Sequence, residues 1–84
     1  MDEAVTKLVA EGAYKGIGVD LISVDPVIGE GLWRHKKLLG NGKVIIENLT
    51  NLGACGSEIF SFGCFPLKLQ EADGAPVRAI AWTK

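Results

Sequence analysis

The 84-residue chain has only two cysteines, Cys55 and Cys64, and their spacing makes no Cys-x-x-Cys motif. Two thiols are too few for the disulfide scaffold of a small secreted domain, so both read as ordinary reduced thiols. No apolar run approaches the ~18 residues of a membrane span. The start, "MDEAVTKLVAEGAYKG", is acidic and amphipathic and lacks the basic start and apolar middle of a secretory signal. A cytoplasmic location is expected, and the "NLT" sequon at 48–50 has no consequence there. Neither charge dominates: nine basic and ten acidic side chains leave a net charge of −1. Beyond Arg34, Lys36 and Lys37 there is no basic cluster, so neither nucleic acid nor a membrane surface is an expected partner. Internal repeats and low-complexity linkers are absent.

What is present is globular: 48% of residues are hydrophobic and 23% charged. The chain makes one domain at most, or part of one. A chain this short buries roughly 60–65% of its unfolded surface, and such small cores commonly need a staple or a partner.

Residues 2 to about 13 read as a helix with Asp2 as its cap, acids in its first turn and Gly12 at its end. Its apolar stripe is Ala4, Val5, Leu8 and Val9. "GVDLISVDP" (18–26) alternates, with Val19, Leu21 and Ser23 on one face, and predicts a strand of about seven residues stopped by Pro26. A second helix is expected over about 29–39, carrying Leu32, Trp33, His35, Leu38 and Leu39, with "GNG" (40–42) as cap and tight turn. "KVIIENL" (43–49) predicts a strand buried on both faces. "NLGACGSE" reads as a loop. "IFSFGCFPLKL" and "APVRAIAWTK" predict two further strands, with Asp73-Gly74 as their hairpin turn and Pro66 marking an edge or a bulge. The order is α-β-α-β-β-β, an α/β chain.

Several chemistries are excluded by motif. "GIGVDL" has two of the three glycines of a dinucleotide fingerprint, and they lie between a helix and a strand; a simple helix-to-strand turn accounts for it. There is no Gly-x-Ser-x-Gly elbow and no phosphate loop. His35 is the only histidine, and Glu47 stands where an apolar residue would continue the strand after Val44, Ile45 and Ile46. Imidazole and carboxylate both ligate zinc or manganese, and a helix followed by a tight turn and a strand can bring the two together. By residue type alone His35 fits equally a helix-surface or a satisfied core imidazole.

"GVDLISVDP", "HKKLL", "IIENLTNL" and "FPLKLQEADGAPVRAIAW", in that order, resemble the C-terminal half of the cyclase-like metal-dependent hydrolases. That family includes bacterial kynurenine formamidase and isatin hydrolase. The resemblance covers nearly the whole chain and implies the C-terminal part of the family's swivelling β/β/α fold. It also implies that His35 and Glu47 are ligands of a catalytic Zn2+ or Mn2+, and that the substrate is a small-molecule amide, an aryl formamide such as N-formylkynurenine or a cyclic imide or lactam. The family's principal metal motif, His-x-Gly-Thr-His-x-Asp-x-Pro-x-His, does not occur here. The expectation is therefore a fragment, an excised domain or a split subunit, inactive alone and with no catalytic residue of its own. Its partner would be the N-terminal half of the fold or a second copy. The other reading is a non-catalytic interaction module pairing through its sheet edges. Asn48 and Asn51 are expected to orient Glu47 or simply to turn the chain. Asp25 supports the start of the second helix or merely ends a strand, and Arg78 makes a structural ion pair.

Overall fold

A computed structural model describes residues 1–26 and 31–83. The chain forms two units, Met1–Thr50 and Asn51–Lys84. The architecture is α/β in the order expected, with two helices and two two-stranded sheets among the described residues. No helix among the described residues is long and apolar enough to cross a membrane.

In the first unit, helix α1 spans Glu3–Glu11. Asp2 caps it, one carboxylate oxygen accepting from the amides of Ala4 at 2.6 Å and Val5 at 3.4 Å. Gly12 ends it, donating its N–H to the Leu8 carbonyl. Of the expected stripe Val9 is buried, but it packs together with Thr6 and Ala10, whereas Val5 and Leu8 are 40% and 59% exposed. A buried threonine costs little here because its hydroxyl donates to the Asp2 carbonyl at 2.9 Å.

Strand β1 is Gly16–Gly18 and pairs in parallel with β2, Val44–Ile46. The "GIG" read as a turn is thus the strand itself. A Cβ on Gly16 would overlap the Val44 carbonyl oxygen, so the close approach of the strands requires glycine there. The strand expected over 18–26 is not formed. Residues 19–21 still exchange backbone bonds with 46–49, but beyond them the amides of Val24 and Asp25 bond to the side chains of Glu47 and Ser23. Backbone donors taken by side chains cannot build a ladder. Nor is β2 buried on both faces: it has one neighbour, and Val44 is 57% exposed.

Helix α2 spans Trp33–Gly40, with Asn41 as its C-cap and Gly42 at φ +74° in the turn that follows. The expected start near residue 29 lies outside the described residues, and Leu32, at φ +47°, precedes the first helical residue. Val9, Ala10, Val24 and Leu38 form the core, with Met1, Ile17, Val19 and Ile45 packed against it. Lys43 ties the end of α1 to the strand that follows α2, its Nζ donating to the carbonyls of Gly12 at 2.9 Å and Tyr14 at 2.6 Å.

The second unit contains a short 3-10 turn, Leu52–Cys55, and an antiparallel hairpin of β3, Ser61–Pro66, and β4, Val77–Trp82. The register runs from Ser61↔Trp82 to Pro66↔Val77, and the Leu67 amide adds one bond to Pro76. Pro66 sits at the end of an edge strand, as expected. The connecting loop turns at Gln70–Glu71, with Glu71 at φ +57°, rather than at Asp73-Gly74. Pairing ends at Leu67 and Pro76, which leaves a connection too long for a two-residue turn. Phe62, Phe65, Leu67, Leu69 and Trp82 of this hairpin are exposed. Both cysteines are free.

Candidate metal centre

The site lies in the first unit and begins with a helix that has no cap of its own. Residues 27–33, "VIGEGLW", contain no Ser, Thr, Asp or Asn. Leu32 offers α2 no side-chain acceptor, so its first amides need one from elsewhere. Asp25 supplies it. Its Oδ1 accepts from the Arg34 amide at 2.8 Å and its Oδ2 from the His35 amide at 2.9 Å. The Arg34 guanidinium stands 3.5 Å from Oδ1, while its Nε donates to the Met1 carbonyl.

The same Oδ2 lies 2.7 Å from His35 Nδ1. On the other side of the ring, Nε2 is 2.9 Å from Glu47 Oε2. That oxygen also accepts the Val24 amide at 2.9 Å, which fixes the glutamate at the end of β2. The structure thus brings together His35 and Glu47 and adds Asp25 as the histidine's second neighbour. Asp25 is buried at 6% exposure, and the side chains of His35 and Glu47 are 22% and 26% exposed. Glu47 departs from the apolar pattern because its carboxylate is needed at the rim, facing a ring and an amide.

Burial raises the Asp25 pKa, but the amides of His35 and Arg34 and the His35 ring outweigh it and hold the carboxyl at about 2. Asp25 is therefore ionised near neutral pH. With acceptors on both sides of the ring, Nδ1 donates to Asp25, and Nε2 meets Glu47 through a proton or a cation.

The donor set fits a divalent ion. An imidazole nitrogen and a carboxylate oxygen face each other at the partly exposed edge of the unit. Two ligands of one tetrahedral ion at ~2.0–2.2 Å stand roughly 3.4 Å apart. A pair at 2.9 Å needs to part by only about half an ångström to admit the ion. Among the described residues no group of three His, Cys, Asp or Glu side chains could hold one ion, since Asp25 is on the far side of the ring.

Asn48 and Asn51 both take left-handed backbone at φ +60°, and among the described residues the Asn48 side chain does not bond Glu47. They turn the chain, a role asparagine tolerates well. Arg78 makes no ion pair among the described residues, contrary to expectation, because its cross-strand partner is Phe65 rather than an acid. The direct contact of Asp25 with the ring was missed in the sequence. Its signal was the uncapped helix start beside an acid at the end of "SVD".

Known proteins similar to this chain are consistent in name. It is 42% identical over 64 residues to the kynurenine formamidase of Polaromonas naphthalenivorans, covering 76% of this chain and 28% of that protein. With the kynurenine formamidase of Delftia acidovorans it shares 35% over 77 residues, 92% of this chain and 36% of the relative. The Bacillus cytotoxicus kynurenine formamidase is 44% identical over 64 residues, 76% of this chain and 30% of its own length. No family model matches, and no solved structure matches significantly. The chain spans about a third of the length of these curated relatives. By this similarity it belongs to the kynurenine formamidase family, of whose members it represents that share.

Proposed function

We propose that the chain is part of a metal-dependent arylformamidase, contributing His35 Nε2 and Glu47 Oε2 to a centre for Zn2+ or Mn2+. The observation that carries this is the 2.9 Å approach of those two atoms in a chain whose relatives are kynurenine formamidases. A divalent ion, when bound, polarises an amide carbonyl and lowers the pKa of water toward ~7. The residues of this chain hold and orient. Glu47 is anchored by the Val24 amide, and His35 is carried on a helix whose first turn is tied down by Asp25.

The substrate in this reading is an aryl formamide of the N-formylkynurenine kind. Water adds to the formyl carbon, the C–N bond breaks, and formate and an aryl amine leave. The remaining ligands come from the part of the family's length that this chain does not cover. The exposed apolar side chains of the hairpin, Phe62, Phe65 and Trp82 among them, support docking against that remainder or a second copy. Two free thiols support a reducing compartment, the cytoplasm.

The test is formate release after this chain replaces the matching stretch of the Delftia acidovorans kynurenine formamidase. Release should depend on the metal, and His35→Ala and Glu47→Gln should each lower it by more than the ~100-fold typical of residues behind the ligands. Release that survives both a chelator and the loss of His35 would sink the proposal.

A further inference from the structure

The geometry assigns Asp25 as the positioning residue of His35: by accepting Nδ1–H it leaves Nε2 as the ring nitrogen that faces a ligand. The second half of this assignment rests on the metal reading above; the first half does not.

A free imidazole can carry its proton on either nitrogen and can turn its ring over, so a histidine becomes a defined ligand only when something fixes both choices. Asp25 fixes both with one oxygen. Oδ2 accepts the backbone amide of His35 at 2.9 Å and stands 2.7 Å from Nδ1 of the same residue. Main chain and ring tied to a single point leave the side-chain torsions little freedom. Among the described residues the other groups around the carboxylate are donors: the amides of Arg34 and His35 and the Arg34 guanidinium. It can therefore only accept, and the Nδ1 proton belongs to the ring.

Asp25 is itself held. Its own amide bonds Ser23 Oγ at 3.1 Å, its Oδ1 takes the Arg34 amide, and its side chain is 4% exposed. Capping α2 and orienting His35 are thus a single act of one buried carboxylate. A histidine that gives its other N–H to a carboxylate is the usual arrangement behind a metal ligand, and losing that partner typically weakens metal binding about 10–100-fold.

His35 is the only histidine, so every imidazole signal of the 84-residue chain belongs to it. The test is a long-range proton–nitrogen correlation spectrum of the nitrogen-15-labelled chain, without metal and with added zinc chloride. Without metal, Nδ1 should carry a proton that exchanges slowly with water. With zinc, the Nε2 signal should move while Nδ1 keeps its proton. In Asp25→Asn the Nδ1 proton should lose its protection, and zinc binding should weaken by about 10–100-fold.

Zinc on Nδ1, or an Nδ1 without a protected proton, overturns the assignment from the unsubstituted chain alone, whether or not the variant folds. A folded Asp25→Asn chain with an unchanged ring spectrum and zinc affinity overturns it as well. A protected Nδ1 proton with no zinc effect on either nitrogen supports the hold of Asp25 on the ring and shows that His35 and Glu47 alone do not retain zinc; the metal reading itself stands or falls on formate release by the completed enzyme, which separates the two failures.

Discussion

Glu47 Oε2 lies 2.9 Å from His35 Nε2 and 2.9 Å from the Val24 amide, so one oxygen serves both the candidate ligand pair and the backbone of a buried core residue. Function and folding meet at that atom, and substitutions there can separate them.

Glu47→Gln keeps an oxygen for the Val24 amide, whereas Glu47→Ala removes it. Leaving a buried amide unpaired costs about 1–3 kcal/mol. In urea unfolding, Glu47→Ala should fall below Glu47→Gln by about that amount, while both lose zinc binding. Equal stability of the two variants would show that the Val24 bond contributes nothing.

Acid should weaken the first unit through Asp25. Its carboxyl is held at about 2 in the folded chain against an ordinary 3.8. A pKa lowered by folding contributes stability above the unfolded value and loses it as pH falls through the folded one. A tenfold change in proton affinity is worth ~1.4 kcal/mol, so the contribution is about 2 kcal/mol. It should be whole above about pH 5 and fade as pH falls through 3.8 toward 2. Urea midpoints measured across that range should fall in the chain and change less in Asp25→Asn.

The glycines of β1 differ in what a side chain would meet. At Gly16 a Cβ overlaps the Val44 carbonyl, which is backbone; at Gly18 it lies 2.8 Å from Leu49 Cδ1, the end of a side chain. Gly16→Ala should therefore separate β1 from β2 and shift Glu47, while Gly18→Ala asks only that Leu49 turn. Thermal melts should show a large loss for the first and a smaller one for the second. The reverse order would contradict the parallel register.

The hairpin should not remain solvated by itself. Two strands alone are marginal in water, and this pair exposes Phe62, Phe65, Leu67 and Trp82. Light scattering at micromolar concentration should give a mass above one chain, and Phe65→Lys with Trp82→Lys should lower it. A single-chain mass for the unsubstituted protein would argue against self-association.

Locally encoded features were legible in the residues. Asp2 caps α1 and Gly12 ends it because a carboxylate acceptor and a glycine act within one turn of chain. The α/β order follows from the same short-range signals. His35 and Glu47 stood out by residue type and by family resemblance. Asp25 as support for the start of α2 is one of the two readings its position allows, and it holds. Which face of α1 is buried and where the first strand lies were not legible. Thr6 turns inward because its hydroxyl is satisfied by the Asp2 carbonyl four residues back, a bond that the apolar pattern does not show. The alternation of 18–26 lost its strand because the amides of Val24 and Asp25 went to side chains instead. The carboxylate of Asp25 reaches helix amides nine and ten residues on, and Glu47 reaches a ring twelve residues back. Sequence supplied the donors and acceptors; only the packing of α1, α2 and the β1–β2 pair around Val24 and Leu38 decided which would meet, because hydrogen bonds select partners within about 3 Å of space and not by separation along the chain.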